Sequence, residues 1–373
     1  MTDVLDRMDD DTALRSDARS KLKIIDCDIH PSLRSREDLF PFLEKRWQDH
    51  LKTYGGHIRN PFTSTTPYPR IAPLISRRDA WPPTGGPPGS DLAFMQKQHL
   101  DPYNVEFGLL QVLDLSIFSQ VNLELGAALQ YAINEWQYES FQRPDPRLRA
   151  SIIVGQDDPV SGVKEIERCA ALGRHAQVNI SPRANEPLGR RKYWPIYEAA
   201  QAANLPLGIH VGGYGGHAPT ASGWPSYYNE EHHSNAQSVA AQLSSLVIEG
   251  VPERFPKLKF VFIEGGFGWV PAITWRMDQH FDRFRSEVPH LKCKPSEYVK
   301  QSFWFTTQPM EEPESAEHLR QVIEWIGIDR LLFSSDYPHW DFDDPRYAFR
   351  TPLSEAERLK IFNTNARAVY RFN

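Results

Sequence analysis

Residues 257–284 read KLKFVFIEGGFGWVPAITWRMDQHFDRF. An apolar run over Lys257–Glu264 is followed by two glycines and then by a segment, Pro271–Phe284, whose apolar residues recur at three- and four-residue spacing. The first pattern is typical of a buried strand, and the second is typical of an amphipathic helix. A strand followed directly by a helix is the unit from which a parallel sheet covered by helices is built.

The same unit recurs along the chain. Seven further strands are predicted at Lys23–Asp28, Phe107–Leu113, Arg149–Gly155, Ala176–Ile180, Pro206–Val211, Phe303–Thr307 and Arg330–Ser335. Further helices are predicted at Val163–Leu172, Trp194–Asn204, Ala236–Glu249, Ala316–Trp325 and, behind a Ser354–Glu357 capping box, Ala356–Arg367. About eight such units in a chain of this length predict the α/β class and a (β/α)8 (TIM) barrel, rather than a doubly wound sheet.

Domain boundaries follow from the same pattern. Residues 1–22 form a polar, acidic stretch that we expect to be a tail, and residues 23–373 are predicted to be one barrel domain. Two long stretches, about 54–89 and 212–233, break the alternation of strands and helices and are rich in Gly, Pro and aromatic residues. Long loops of this kind are usually functional or disordered, and we expect lids at the C-terminal face of the barrel.

Composition excludes several classes of function. The chain of 373 residues carries 42 basic and 48 acidic residues, a formal charge of −6, which argues against a nucleic-acid or membrane-surface partner. Three cysteines are too few for a disulfide scaffold. The N-terminal residues lack the apolar core of a signal peptide, and no apolar run approaches the ~20 residues that span a bilayer. These features predict a soluble, cytoplasmic protein.

Polar side chains stand where four of the predicted strands end. The first strand ends in Asp28-Ile29-His30, the fifth at His210, the sixth at Glu264 and the eighth at Asp336. Active sites of barrels lie at this face, and residues two apart in a strand point to the same side. Two histidines with carboxylates suit Zn²⁺, Mn²⁺ or Fe²⁺. Each residue alone has a plainer interpretation, as a helix cap, a hydrogen-bonded histidine or an ion pair, but the joint pattern predicts a metal site.

Other residues are candidates for proton transfer and substrate binding. Asp336 and Glu264 are predicted to act in catalysis beside the metal, and His339 is a second proton carrier or a support for Asp336, or else a structural loop histidine. The substrate-binding candidates, each with ordinary packing or solvation as the alternative, are His217, Trp224, Tyr228, Arg190 and Arg191. We expect His232 and His233 to be solvated.

Several stretches resemble a known family. They are IIDCDIHP (24–31), PLGRRKYWPIYEAA (187–200), LPLGIHVGG (205–213), residues 255–278, LLFSSDYPHWDFD (331–343) and IFNTNARAVY (361–370). As a set they resemble the amidohydrolase superfamily, in its amidohydrolase-related, aminocarboxymuconate-semialdehyde decarboxylase-like branch. The resemblance implies a metal-dependent barrel enzyme.

The resemblance also implies a ligand set. Asp28 and His30 match the family's first-strand metal motif, His210 its fifth-strand ligand, and Asp336 its eighth-strand aspartate. Glu264 is a departure, because many members carry histidine there. The fourth strand has Val-Asn-Ile where many superfamily members carry a carbamylated lysine, so one ion, most readily zinc with manganese or iron as alternatives, is the default expectation, and Glu264 could serve a second.

The leading hypothesis for function is a metal-dependent hydrolase. It would use a metal-activated water on a small carbonyl substrate, such as an ester, thioester, lactone, amide or C–C bond, in catabolic or secondary metabolism. The third carboxylate, Glu264, motivates it, because an acid-rich site suits making hydroxide. The alternative is a non-oxidative decarboxylase of an aromatic or muconate-like acid, for which Arg190 and Arg191 or another base would have to offset the acidic site. A barrel that binds a metabolite without catalysis is a third possibility, and the resemblance is compatible with a homodimer.

Overall fold

The computed structural model describes residues 22–56, 75–113, 117, 120–212, 218, 220 and 222–372. Apart from Leu22, the predicted tail lies outside these residues. Short β-strands, each rich in buried apolar side chains, alternate with helices along the described chain. The strands are β1 Ile24–Ile29, β2 Val105–Leu110, β3 Leu148–Ile153, β4 His175–Ile180, β5 Leu207–His210, β6 Phe260–Ile263, β7 Phe303–Thr306 and β8 Leu331–Leu332.

The strands pair in parallel and in sequence order, from β1 through to β8. At the seam, the Cys27 amide donates to the Phe333 carbonyl at 3.0 Å, and the His30 amide donates to the Tyr337 carbonyl at 2.8 Å. These bonds join β1 to the chain at and beyond β8, so the sheet curls into a barrel. The predicted (β/α)8 barrel is confirmed, and every predicted strand overlaps an observed one.

Helices cover the outside of the sheet. They are α1 Lys45–Tyr54, α2 Leu92–Met95, α3 Leu123–Gln137, α4 Pro159–Leu172, α5 Trp194–Ala202, α6 Tyr228–Ile248, α7 Val251–Arg254, α8 Val270–Phe284, α9 Pro295–Ser302, α10 Ala316–Ile326, α11 Glu355–Leu359 and α12 Asn365–Tyr370. The predicted capping box of Ser354 and Glu357 opens α11, and a π-helical turn over Lys360–Thr364 joins α11 to α12. Helix α6 begins at Tyr228 rather than at Ala236, so the second predicted lid is shorter than expected.

The core has two parts. Apolar side chains between the sheet and the helices form the larger part, and a smaller cluster fills the lower barrel, where Tyr370 and Phe372 from the C-terminal segment pack against Cys27 and its neighbours. Nearer the carboxyl ends of the strands the interior becomes polar: Gln111 Oε1 accepts from Asn179 Nδ2 at 2.7 Å. Among the residues that the structure describes, no helix has the length and apolar character needed to cross a membrane.

Candidate metal centre

The five residues predicted to gather at the strand ends do so. Asp28 and His30 lie at the end of β1, His210 is the last residue of β5, Glu264 directly follows β6, and Asp336 follows β8; all five are buried. His30 Nε2 lies 2.8 Å from Asp336 Oδ1 and 3.1 Å from Asp28 Oδ1. His210 Nε2 lies 3.2 Å from Asp28 Oδ1 and 3.5 Å from Glu264 Oε2. We call these five residues the strand-end cluster.

Backbone carbonyls fix the orientation of both histidine rings. His30 Nδ1 is 2.8 Å from the Gln111 carbonyl oxygen, and His210 Nδ1 contacts the carbonyl of Val211. A carbonyl oxygen only accepts hydrogen bonds, so each Nδ1 carries the proton. In a neutral ring the Nε2 lone pair then faces the carboxylates, which is the orientation of a histidine that ligates a metal.

The donor set fits a divalent cation. Nε2 of His30 and Oδ2 of Asp28 are buried without a hydrogen-bond partner. Ligand atoms of Asp28, His30, His210 and Glu264 lie within 4.8 Å of one another. Nitrogen lone pairs and carboxylate oxygens this close repel unless a cation or protons lie between them. Residue 179, on β4, is an asparagine bonded to Gln111, so the strand offers no lysine for a carbamate.

Protonation within the cluster is strongly perturbed. Burial disfavours the ionised form of Asp28, but the charges of His30 and His210 outweigh it and hold the pKa of Asp28 well below its usual value. Burial also disfavours the His30 cation, yet the charge of Asp28 raises the pKa of His30 well above normal. Burial and the charge of Asp336 raise the pKa of Glu264. Such opposed shifts are typical of functional sites.

Two members of the strand-end cluster have a left-handed backbone. The φ angles of Glu264 and Asp336 are 57° and 62°, in a region that aspartate, asparagine and histidine tolerate better than other residues with a side chain, so the strain is greater at Glu264. The Thr306 hydroxyl accepts from the Glu264 amide at 3.0 Å. Glu311 binds the next turn, where its Oε1 accepts from the Gly268 amide at 2.8 Å. Backbone strain of this kind, held by surrounding hydrogen bonds, concentrates at functional sites.

His339 lies beside the cluster, as predicted. Its Nδ1 is 2.5 Å from Asp336 Oδ1, and its ring stacks on that of His30 with centroids 4.2 Å apart. Burial and the adjacent charge of His30 lower the pKa of His339 to about 3. A neutral imidazole in this position orients the Asp336 carboxyl.

Sequence reasoning missed a pair next to the cluster. His232, on α6, has Nε2 3.1 Å from Asp341 Oδ2, so it is paired rather than solvated. The side-chain amide of Gln308 donates to Asp341 Oδ2 at 2.9 Å and to Asp336 Oδ2 at 3.3 Å. Ligand atoms of His232, Glu264 and Asp341 form a second group within 4.8 Å. The run of acids after Asp336 was the available signal.

A third feature was also missed. Asp26, buried inside β1, accepts from the Ser335 amide at 2.9 Å, from Ser335 Oγ at 2.5 Å and from His99 Nε2 at 2.7 Å. Because Ser335 directly precedes Asp336, this carboxylate anchors the chain that carries the eighth-strand aspartate. Asp26 stands two residues before Asp28 in β1, and this position in the sequence gave no indication of its partners.

Of the three predicted lid residues, the structure describes Tyr228 and Trp224. Tyr228 is the first residue of α6, and its hydroxyl accepts from Trp340 Nε1 at 2.7 Å, which joins α6 to the loop after β8. Trp224 is 39% exposed, with the Arg183 guanidinium 5.7 Å from its ring. His217 lies outside the described residues.

The two predicted substrate-binding arginines lie elsewhere. Arg190 is exposed and its guanidinium is 3.5 Å from Glu249, while Arg191 lies over the ring of Trp194. Glu249 caps α6 at its C-terminus, 17 residues beyond His232, and at 1.5 Å per residue this is about 25 Å along the helix. Their own surroundings thus place Arg190 and Arg191 at the other end of α6 from His232, and a role for them in substrate binding stays a prediction.

A (β/α)8 barrel with histidines and carboxylates gathered at the carboxyl ends of its strands defines a class of enzymes that use a divalent metal. The sequence profile of the amidohydrolase family matches residues 25–372, and the chain belongs to that family. The resemblance stated above is thereby confirmed.

Known proteins similar to this chain include decarboxylases. A gamma-resorcylate decarboxylase of Polaromonas sp. is 28% identical over 261 residues, covering 64% of this chain and 75% of the relative. The structure of 5-carboxyvanillate decarboxylase from Novosphingobium aromaticivorans, with bound manganese, aligns with a TM-score of 0.72 at 18% identity over 95% of this chain and 98% of that one. A dihydroxybenzoic acid decarboxylase of Polaromonas sp., with manganese and 2-nitroresorcinol, aligns with a TM-score of 0.65 at 20% identity over 94% of this chain and 97% of that one.

These similarities bear on the two functions predicted from the sequence. The relatives favour the alternative, decarboxylation, over the leading hypothesis of hydrolysis. The two structural neighbours described above contain manganese, and the zinc that the sequence favoured stays a prediction. The homodimer and the cytoplasmic location stay predictions.

Proposed function

We propose that this protein is a metal-dependent, non-oxidative decarboxylase of an aromatic acid with a hydroxyl group on its ring. The observation that carries the proposal is the strand-end cluster, in which His30 and His210 turn Nε2 towards carboxylates. A chain with this cluster has gamma-resorcylate decarboxylase among its relatives. Hydroxybenzoic acids with the hydroxyl group ortho to the carboxylate offer a metal two oxygens side by side, one from the carboxylate and one from the ring.

The first step of the argument concerns the metal. Asp28, His30 and His210 would hold the ion, with Asp336 facing it. A divalent ion bound there supplies a Lewis acid that holds and polarises the substrate's oxygens. Manganese is the first ion to test, since two structural neighbours contain it, and the zinc predicted from the sequence is its competitor.

The second step concerns the proton. Decarboxylation replaces the substrate's carboxylate with hydrogen: the ring carbon gains a proton, its bond to the carboxylate carbon breaks, the electron pair returns to the ring, and CO₂ leaves. Asp336 is the acid that delivers the proton, because it is fully buried and its Oδ1 lies 2.8 Å from Nε2 of His30. His339, 2.5 Å from Oδ1, and Gln308, 3.3 Å from Oδ2, position its carboxyl group.

Hydrolysis of a small carbonyl substrate is the second candidate, and Glu264 favours it. In the described part of the chain its buried carboxylate accepts no hydrogen bond, and its one ion-pair contact is His210 at 3.5 Å. A carboxylate in that state is suited to accept a proton from a metal-activated water. The two candidates differ in the solvent atom that enters the product: decarboxylation adds a hydrogen to the ring, and hydrolysis adds the oxygen of water.

The experiment follows from that difference. Purified protein loaded with Mn²⁺ is incubated with a panel of hydroxybenzoic acids in D₂O and, separately, in oxygen-18 water. We expect CO₂ release with one deuterium on the product ring and no label from oxygen-18. Asp336→Asn should lower kcat by about 100-fold or more, the ordinary contribution of a general acid. The control is Asp329→Asn, because Asp329 is 65% exposed and paired with Lys360; it should keep full activity.

Other outcomes contradict the proposal in distinct ways. Oxygen-18 in the product without CO₂ release from any substrate, including esters and lactones added to the panel, would replace decarboxylation by hydrolysis. Full decarboxylase activity in Asp336→Asn would remove Asp336 from the acid's role.

A further inference from the structure

Negative charge accumulates around the strand-end cluster. Four carboxylates lie together there: those of Asp28, Glu264 and Asp336 are buried, and that of Asp341 is 13% exposed. Every ion-pair partner of these four within the described ranges is a histidine, and no lysine or arginine pairs with them. Buried charges are costly unless compensated. One divalent cation offsets two of the four carboxylates, and the proton that Asp336 carries in the proposed reaction offsets a third.

The substrate makes this imbalance larger. An aromatic acid brings a carboxylate of its own, and this step of the argument rests on the proposed function. Arg190 and Arg191, expected to compensate, lie at the far end of α6. More positive charge is therefore needed where the carboxylates are.

The geometry beside the cluster offers a place for it. Ligand atoms of His232, Glu264 and Asp341 lie within 4.8 Å of one another, and His232 Nε2 is 3.1 Å from Asp341 Oδ2. These residues come from three elements of the fold: the first two turns of α6, the end of β6 and the loop after β8. The Gln308 amide orients Asp341 by donating to its Oδ2 at 2.9 Å.

Glu264 belongs to every group of ligand atoms found among the described residues, both those of the strand-end cluster and that of His232 and Asp341. Its carboxylate lies 3.5 Å from His210 Nε2 on one side and belongs to the group of His232 and Asp341 on the other. It is about nine-tenths buried, yet it accepts no hydrogen bond from any described residue. A carboxylate that is buried without a donor and lies between two sets of ligand atoms is placed to bridge two cations, as in two-metal sites.

We propose that His232, Asp341 and Glu264 form a second divalent-cation site, adjacent to the first and joined to it by Glu264. One imidazole and two carboxylates suit Mn²⁺ or Zn²⁺. The ligand contributed by α6 makes the site depend on that helix being docked, so cation binding there also holds the start of α6 against the loop after β8.

The test counts ions and needs no substrate. Protein freed of metal with a chelator is titrated with Mn²⁺ by calorimetry, and bound manganese is counted by elemental analysis after gel filtration. Wild type should bind two ions, with magnetic coupling between them in the EPR spectrum. His232→Gln and Asp341→Asn should each bind one. His233→Gln is the matched control, since His233 is the exposed neighbour of His232 on α6, and it should bind two.

The outcomes separate this site from the proposed decarboxylase. One ion in wild type that is retained in His232→Gln and lost in Asp28→Asn overturns the second site and leaves the first. Two ions with no decarboxylation support the second site and count against the proposed function. Because a variant can fail to fold, each is checked by circular dichroism, and the wild-type stoichiometry decides by itself if both variants unfold.

Discussion

Removing the Asp26 carboxylate should loosen the seam of the barrel. At this seam backbone hydrogen bonds are few, and the bond from Cys27 to the Phe333 carbonyl is one of them. Asp26 adds three side-chain bonds across the seam and its surroundings, two from Ser335 and one from His99. All three residues are fully buried. Asp26→Ala therefore removes the acceptor of the Ser335 and Asp28 amides and of His99 Nε2, and leaves the Ser335 hydroxyl only its contacts with the Tyr337 amide and His99.

The expected loss of stability follows from these contacts. Removing one partner of a buried, hydrogen-bonded ionic group costs about 3–5 kcal/mol. The entropy of unfolding is about 2.1 cal/mol/K per residue, or about 0.8 kcal/mol/K for a chain of 373 residues. A loss of about 4 kcal/mol then lowers Tm by about 5 °C. Asp26→Asn keeps an acceptor oxygen and loses the charge, so about half of that shift is expected.

Differential scanning calorimetry in the presence of a chelator measures the effect without a contribution from bound metal. Asp329→Ala is the control, since its exposed pair with Lys360 should move Tm by about 1 °C or less. A Tm for Asp26→Ala as close to wild type as that of the control would refute the idea that Asp26 holds the seam. The double variant Asp26→Ala/Ser335→Ala tests the contact itself. If its loss in Tm equals the sum of the losses in the two single variants, the contact between these residues is refuted.

Two further predictions concern stability away from the cluster. Burial lowers the pKa of His175 to about 4, so the neutral ring contributes stability above about pH 6.5 that is lost as the pH falls towards 4. The free energies of unfolding of wild type and His175→Gln, measured with urea, should therefore converge by about 2–3 kcal/mol between about pH 7 and pH 4.5. Parallel pH profiles of the two proteins would contradict this. Gly108→Ala would place a methyl group 2.5 Å from Ile29 Cδ1 and 3.2 Å from Leu148 Cδ2. This overpacking should lower the free energy of unfolding, measured with urea, by about 1–3 kcal/mol. The control is Gly126→Ala inside α3, where the nearest atom is 3.4 Å away, and it should be neutral or stabilising.

The strand-end cluster could be located from the sequence because a barrel leaves little freedom there. Parallel strands in sequence order bring all carboxyl ends to one face, so a residue that ends an apolar run is placed without knowledge of its contacts. His210 and Glu264 illustrate this, since His210 ends the strand that reads Leu-Gly-Ile-His and Glu264 directly follows the strand that reads Phe-Val-Phe-Ile. The role of these residues as metal ligands stays a prediction until ions are counted.

The features that were missed depend on contacts between distant segments. Asp26 and Ser335 are 309 residues apart, and nothing local to either predicts the bond. The sequence predicts a loop around His232 because the polar start of α6 has no apolar periodicity of its own. This segment is helical in the structure, where it docks on the loop after β8 through the hydrogen bond between Tyr228 and Trp340. Arg190 seemed available for substrate because its partner, Glu249, follows it by 59 residues.

The left-handed backbone at Glu264 limits which side chains can stand at the end of β6. A φ of 57° excludes β-branched residues in practice and tolerates asparagine, aspartate, histidine and glycine best. In a saturation library at this position, the most stable variants should therefore carry asparagine, aspartate, histidine or glycine, because other residues lose about 1–2 kcal/mol in this backbone conformation. The chain geometry thus favours, at the end of β6, side chains that can themselves ligate a metal, so substitutions that keep the backbone unstrained mostly exchange one ligand atom for another.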